Sequence, residues 1–150
     1  SLNLPYPQLR GGIMKKKLSC GIETLDHFFV YSSKLSLTKT FYCEVLGLED
    51  GPRPAFDFPG YWFYLSGKPV IHVGTHEFPG GFDRTGHERE DETGTIDHVA
   101  FRCKGFSEFI ARFQKYDQQF KIHEIPDFDL KQIFVRDPNG VTIELNFFGE

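Results

Sequence analysis

The chain has 150 residues, enough for one domain with a hydrophobic core, and 39% of them are apolar. The formal net charge of −4, with no basic run longer than the three lysines at 15–17, disfavours a nucleic acid or an anionic membrane as partner. No apolar run approaches the roughly 18 residues of a membrane span, and residues 1–17 lack the apolar core of a secretory signal. Three cysteines without paired spacing indicate reduced thiols and predict a cytoplasmic protein.

The first half begins with a Pro/Gly-rich stretch, residues 1–20, which predicts a flexible N-terminal tail. A β-rich segment, Thr24–Val30, predicts a strand. A helix is expected over residues 38–46, with an apolar stripe that includes Leu37, Ser36 as N-cap and Gly47 as the residue that ends it. Further strands are predicted within 48–58, where two prolines leave room for a short one only, at 61–65, and at 69–74 after a turn at 66–68.

A segment without periodicity, residues 76–94, follows, and it predicts a long loop that is either a mobile lid or a flexible connection. The second half then opens with a predicted strand, Thr95–Cys103. A helix from Glu108 to about Tyr116, capped by Ser107, is expected after it. Strands are predicted at 120–125, at 132–136 and at 141–147, the last of them behind the turn Asp137-Pro138-Asn139-Gly140.

The two halves repeat each other. Leu25-Asp26-His27-Phe28 recurs as Ile96-Asp97-His98-Val99, an offset of 98 − 27 = 71. Ile71-His72-Val73 recurs as Ile143-Glu144-Leu145, an offset of 144 − 72 = 72. Each half contains a strand, a helix and up to three strands, so the sequence predicts a βαβββ unit used twice. The expected fold is α+β, with units at about 21–75 and 95–148 forming a curved mixed sheet around a central cavity.

Four polar residues occupy the repeated positions: His27, His72, His98 and Glu144. Their neighbours in each strand are apolar and lie on the opposite face, so all four project from one sheet face and converge if the units pair. Neutral imidazole and carboxylate suit a divalent cation such as Zn, Ni, Mn or Fe(II). One such histidine alone is more often a hydrogen-bonded core residue, but four at matched positions favour a metal site. The remaining histidines, His76, His87 and His123, are predicted to be exposed.

The motifs that carry these positions resemble those of the vicinal oxygen chelate superfamily. They are the Leu-Asp-His and Ile-Asp-His strands, Phe41-Tyr42 with Leu46-Gly47-Leu48 at the helix exit, and Asp137-Pro138-Asn139-Gly140 before Ile143-Glu144-Leu145. The superfamily includes glyoxalase I, methylmalonyl-CoA epimerase, extradiol dioxygenases, and fosfomycin- and bleomycin-resistance proteins. The resemblance covers about residues 20–148 and implies a single domain, 21–150, and a homodimer, with the units paired either within one chain or between two.

The resemblance also implies metal ligands on the first and fourth strand of each unit, which are the four residues named above. The isomerases of the family usually have Glu or Gln where this chain has His72. Extradiol dioxygenases and fosfomycin transferases use two His and one Glu, here His27, His98 and Glu144. In that arrangement His72 is an extra ligand or an acid/base beside the metal.

The predicted function is that of a metal-dependent enzyme acting on a small molecule with vicinal oxygens, as a lyase or isomerase or as a ring-cleaving dioxygenase. Glu144 and His72 are the candidate catalytic residues, with Glu144 moving a proton next to a carbonyl. Phe29 and Trp62 are candidate substrate contacts. Arg102 shares strand parity with His98 and either holds an anionic group of the substrate or reaches solvent. The alternatives are a non-catalytic, bleomycin-resistance-like binding protein and a fosfomycin-type thiol transferase.

Overall fold

The computed structural model describes residues 25–75, 96 and 98–150. The predicted N-terminal tail, the predicted loop at 76–94, and His76 and His87 lie outside these residues. Among the helices of the described ranges, none has the length and apolarity to cross a membrane.

The described residues form strand, helix and three strands, in that order, twice. This confirms the predicted pair of βαβββ units. The first unit comprises β1 (Phe28–Tyr31), α1 (Leu35–Lys39) with a π-helical continuation (Thr40–Val45), β2 (Glu49–Gly51), β3 (Gly60–Leu65) and β4 (Lys68–Gly74). The second comprises β5 (Val99–Arg102), α2 (Phe106–Lys115), β6 (Phe120–Ile125), a 3-10 turn (Pro126–Phe128), β7 (Leu130–Arg136) and β8 (Thr142–Phe148).

Each unit builds its own four-stranded sheet, with the orders β1-β4-β3-β2 and β5-β8-β7-β6. The first and last strands of a unit are parallel neighbours, and the other pairs are antiparallel. The register repeats as well, because Phe29 lies opposite His72 in one sheet and Ala100 lies opposite Glu144 in the other. The fold class predicted from the sequence, α+β with mixed sheets, is therefore confirmed.

One hydrophobic core joins the two units. It contains the buried faces of both sheets together with helix residues such as Phe41 and Phe113. Two polar contacts also link the units: a buried one, in which the Tyr42 hydroxyl donates to Asp137 Oδ2 at 2.8 Å, and a partly buried one, in which Asn139 Nδ2 donates to Thr38 Oγ1 at 3.0 Å. The helix-covered face of each sheet packs into this shared core. The opposite face of each sheet is therefore turned away from the core.

The helix boundaries differ from the sequence prediction at their starts. Ser36 and Ser107 were predicted as N-caps, and both are wrong, since they lie inside α1 and α2. Gly105 begins α2 with φ of +83°, and its N–H donates to a carboxylate oxygen of Glu150 at 2.9 Å, so a distant residue replaces the local cap. Gly47, with φ of +87°, follows the first helix as predicted.

The predicted apolar stripe of the first helix is correct except at its beginning. Phe41, Tyr42 and Val45 are buried, whereas Leu37 is 60% exposed. The neighbouring Thr38 is buried in its place, and its hydroxyl lies 2.9 Å from Ser32 Oγ and donates to Lys34 O at 2.8 Å. These hydrogen bonds allow a polar side chain to occupy a core position.

Candidate metal and substrate site

The first candidate half-site lies on the open face of the β1–β4 sheet. Because Phe29 pairs with His72, His27, two residues before Phe29, falls on the same face. The imidazole rings of His27 and His72 stack with centroids 3.7 Å apart and planes 13° apart. Trp62, opposite His72 on β3, stacks on the other side of that ring at 3.9 Å. The sheet register therefore stacks the rings of His27, His72 and Trp62 in one column. The first two share a sheet face, as predicted from the sequence.

The environment of His72 keeps its imidazole neutral. Nε2 lies 3.1 Å from the carbonyl oxygen of Pro69, so Nε2 carries the proton and donates it, which leaves the lone pair on Nδ1. Burial, together with the charge of the adjacent His27, lowers the pKa of His72 below its usual value of 6.5. A neutral imidazole with one free lone pair is the form that binds a divalent cation.

We expect the imidazole of His72 to titrate below pH 6.5 in an NMR pH titration of the metal-free protein. Since the unfolded side chain takes up its proton first, the contribution of this group to stability is present above pH 6.5 and is lost as the pH falls below it. The variant His27→Ala removes the neighbouring charge and exposes His72 to more water, so it is expected to raise the midpoint of the His72 titration. A midpoint at or above 6.5 in the unaltered protein contradicts this assignment.

The second candidate half-site lies on the open face of the β5–β8 sheet. Nε2 of His98 lies 3.0 Å from Oε2 of Glu144, within hydrogen-bonding distance. The other carboxylate oxygen, Oε1, accepts hydrogen bonds from Gln132 Nε2 at 2.9 Å and from Asn146 Nδ2 at 2.8 Å. Gln132 Nε2 also lies 3.0 Å from Asn146 Oδ1, so the two amides and the carboxylate form one buried network. The carboxylate is thus fixed through one oxygen while the other faces His98.

Sequence reasoning missed Gln132 and Asn146. Asn146 lies two residues after Glu144, so the sequence shows that both side chains project from the same face of the strand. A polar side chain on that face does not by itself indicate a functional role. Gln132 lies opposite Asn146 only because β7 and β8 pair in the observed register. A cross-strand partner of this kind becomes recognisable once the register is known.

The predicted substrate contacts divide between the two faces. Phe29 and Trp62 lie beside His72 on the first sheet, as their register shows. Arg102 lies opposite Asn146 on the second sheet, and its guanidinium carbon is 4.9 Å from the centroid of the Phe148 ring. Arg102 is exposed and on the face that carries Glu144, so the geometry is compatible with its predicted contact with a ligand.

The structure thus brings the four predicted ligands together as two pairs on two separate sheets. Within the described ranges, no group of three or more His, Cys, Asp or Glu side chains is placed to hold a metal ion. The donor types of the two pairs, three imidazoles and one carboxylate, fit Zn, Ni, Mn or Fe(II). Each pair is chemically suited to be half of a four-ligand site.

The class of the protein follows from paired βαβββ units, each with a histidine directly before its first strand and a second polar residue on its last strand. The chain belongs to the Glyoxalase/Bleomycin resistance protein/Dioxygenase superfamily, whose sequence profile matches residues 24–145. The uncharacterised protein YaeR of Escherichia coli (strain K12) is 22% identical over 129 residues, which cover 83% of this chain and 96% of that protein.

Solved structures with the same fold include two proteins of described activity. Lactoylglutathione lyase from Agrobacterium tumefaciens is 18% identical, with a TM-score of 0.61 over 85% of this chain and 95% of its own. The fosfomycin resistance protein FosX from Listeria monocytogenes is 16% identical, with a TM-score of 0.60 over 85% of this chain and 94% of its own. At these identities the likeness establishes the fold.

Proposed function

We propose that the protein is a divalent-metal-dependent enzyme of this superfamily that acts on a small molecule with vicinal oxygens. The observation that supports this most strongly is the identical register of the two polar pairs. In each unit, a histidine lies two residues before the position that pairs with the second polar residue, which is His72 or Glu144. The repeat explains why the positions are equivalent, but it does not require a metal-binding side chain at any of them, whereas one cation bound by both pairs requires such a side chain at all four.

The metal is held between two copies of the chain in this proposal. The ligand-bearing faces are the ones turned away from the shared core, so in this proposal the face of one unit meets the corresponding face of the other unit in a second copy. A two-fold homodimer of this kind forms two equivalent sites. Each site contains His27 and His72 of one copy together with His98 and Glu144 of the second copy.

The chain's own residues have distinct roles at such a site. A bound divalent cation supplies Lewis acidity toward the vicinal oxygens of the substrate. Glu144 is fixed through Oε1 by two amide donors, and its Oε2, which lies beside His98, would take up and return a proton next to a substrate carbonyl. His72, buried and neutral, binds without the cost of losing a proton at neutral pH.

The reaction belongs either to the lyases and isomerases or to the ring-cleaving dioxygenases. The test is metal identification by elemental analysis, followed by assays with a methylglyoxal–glutathione hemithioacetal, catechol and fosfomycin. A lyase or isomerase turns over the hemithioacetal with Ni, Zn or Co without oxygen uptake, whereas a dioxygenase consumes oxygen with catechol and Fe(II). Turnover of fosfomycin with a thiol indicates a transferase. No turnover by fully metallated protein contradicts the enzyme proposal for these substrates and favours a binding protein.

The ligands themselves are tested by metal content. We expect Glu144→Ala and His98→Ala to be purified without stoichiometric metal. His123 provides a matched control, because it lies opposite Gln132 on the same sheet face and is exposed, yet is not a proposed ligand. We expect His123→Ala to retain its metal. Stoichiometric metal in both ligand variants contradicts the proposed site.

A further inference from the structure

A cleft of about 1000 Å³ opens beside the first half-site. Its lining includes His27 and His72 together with Arg53 and two phenylalanines, Phe56 and Phe58. This volume is at the upper end of the range that small-molecule sites occupy, roughly 300–1,000 Å³. The phenylalanines and Arg53 come from the proline-broken segment before β3, where the sequence offered no periodic signal.

The walls of the cleft are flat aromatic surfaces. Phe56 and Phe58 stack with centroids 5.2 Å apart and planes 14° apart, and Phe56 lies 6.4 Å from Trp62. The close approach of this layer to the sheet depends on Gly74. A Cβ at that position would lie 2.7 Å from the Phe29 ring and 2.9 Å from the Phe58 ring. A planar ring is the ligand shape that such surfaces accommodate best.

Arg53 places an incompletely satisfied cation on this wall. Its guanidinium carbon lies 5.0 Å from the Phe56 centroid and 5.1 Å from the Phe58 centroid, and both terminal nitrogens donate to Phe58 O. Its Nε is buried without a hydrogen-bond partner. In the part of the chain that the structure describes, no carboxylate lies within salt-bridge distance of Arg53. An anionic oxygen of a ligand would accept a hydrogen bond from such a buried N–H and pair with the guanidinium charge.

Two carboxylates also line the cleft, and neither removes the preference of Arg53 for an anionic ligand. Asp26 is largely exposed and bonds to Nδ1 of His27, and Asp57 is exposed to solvent. Water screens such exposed charges more than it screens a half-buried guanidinium packed against two aromatic rings. The charge that a ligand meets on the aromatic wall is therefore that of Arg53.

From this geometry we infer that the cleft binds a planar aromatic molecule with an oxyanion substituent, either a carboxylate or a phosphate. The ring lies against Phe56, Phe58 and Trp62, and the oxyanion binds Arg53. The end of the ligand nearest His27 and His72 then presents its oxygens to the proposed metal. The last step rests on the proposed function, whereas binding to Arg53 and the aromatic wall does not.

Binding can be followed directly, because Trp62 is the only tryptophan of the chain and it lines the cleft. Metal-free protein is titrated with four probes: benzoate, phenyl phosphate, benzyl alcohol and cyclohexanecarboxylate. We expect saturable changes in tryptophan fluorescence with benzoate or phenyl phosphate, and the tighter of these identifies the oxyanion. The neutral ring and the non-planar acid are expected to bind about tenfold or more weakly. Equal affinity for benzoate, benzyl alcohol and cyclohexanecarboxylate, or no saturable change, overturns the inference.

The variant Arg53→Met tests the assigned cation. We expect benzoate affinity to fall about tenfold or more, since a charge-assisted hydrogen bond is lost, while benzyl alcohol binding stays unchanged. Lys115→Met, which removes an exposed cation at the end of α2, is the matched control and is expected to bind benzoate normally. Unchanged benzoate affinity in a folded Arg53→Met protein overturns the inference. If that variant does not fold, the comparison of the four probes on the unaltered protein decides.

Failure of this inference and failure of the proposed metal site are distinguishable. Glu144→Ala removes a proposed metal ligand on the other sheet and is expected to retain benzoate binding. Arg53-dependent binding by a protein that takes up no metal when Zn, Ni, Mn or Fe(II) is added supports the cleft and contradicts the metal site. Stoichiometric metal in a protein that does not bind aromatic acids supports the metal site and contradicts the inference about the cleft.

Discussion

In the proposed two-fold dimer, metal binding is expected to return when His72→Ala and Glu144→Ala, each expected to lose its metal on its own, are combined. The first variant damages the β1–β4 face and keeps His98 with Glu144, and the second does the reverse. In a mixed dimer, one site receives both damaged faces and the other receives both intact faces. The mixed dimer is therefore expected to hold about one metal ion, against about two in the unaltered two-fold dimer.

The measurement is elemental analysis of mixed dimers, obtained by co-expressing the variants with different affinity tags and purifying through both. The matched control combines His72→Ala with His27→Ala. Both substitutions damage the same face, so no arrangement of these two chains contains a complete site. Recovery of metal in the first mixture alone supports ligands from two copies. Equal metal content in the two mixtures contradicts that arrangement, whether or not the chain dimerises.

The second large effect is expected at the amides that hold Glu144. Replacing Gln132 or Asn146 by Leu removes an N–H donor to Oε1 while leaving every proposed ligand in place. Loss of such outer hydrogen bonds typically weakens metal binding by about 10- to 100-fold, because the carboxylate is no longer held in its binding orientation. Competition with a chelator of known affinity measures the change.

The two amides are also expected to act together. Because Gln132 Nε2 contacts Asn146 Oδ1, removing one partner disturbs the other, so the double variant should cost less than the product of the single effects. Gln118→Leu is the matched control, because this half-buried amide beyond the end of α2 donates to the carbonyl oxygens of Gln119 and Arg136 and not to the Glu144 network. Unchanged metal affinity in both single variants contradicts a positioning role for the network.

Much of the fold was predictable because its signals are local. Alternating apolar residues set the strands, and the match between the His27 and His98 segments revealed the repeat. The same alternation predicted that His27 shares a sheet face with His72 and that His98 shares one with Glu144, and the observed register agrees with this for each pair. Local signals failed at the helix starts, where Gly105 binds Glu150, a partner 45 residues away, in place of a neighbouring serine.

The site was only partly predictable, because alternation specifies a face and does not specify which faces meet. The sequence left open whether the units pair within one chain or between two. Gln132 depends on cross-strand pairing, and Arg53 lies in a segment without any period, so neither stood out in the sequence. Residues whose roles arise from long-range register or irregular loops carry no local pattern to detect.

The buried hydrogen bond between Tyr42 and Asp137 has a consequence for how the chain unfolds. It joins the helix of one unit to a turn 95 positions later in the sequence, and both side chains are almost fully buried. Neither unit therefore possesses a complete interior of its own, although each repeats the other in order and register. Melting one half would leave the other with exposed apolar surface and an unpaired phenol or carboxylate. The duplication is a repeat of sequence and topology, but its two parts are expected to lose their structure in one cooperative transition.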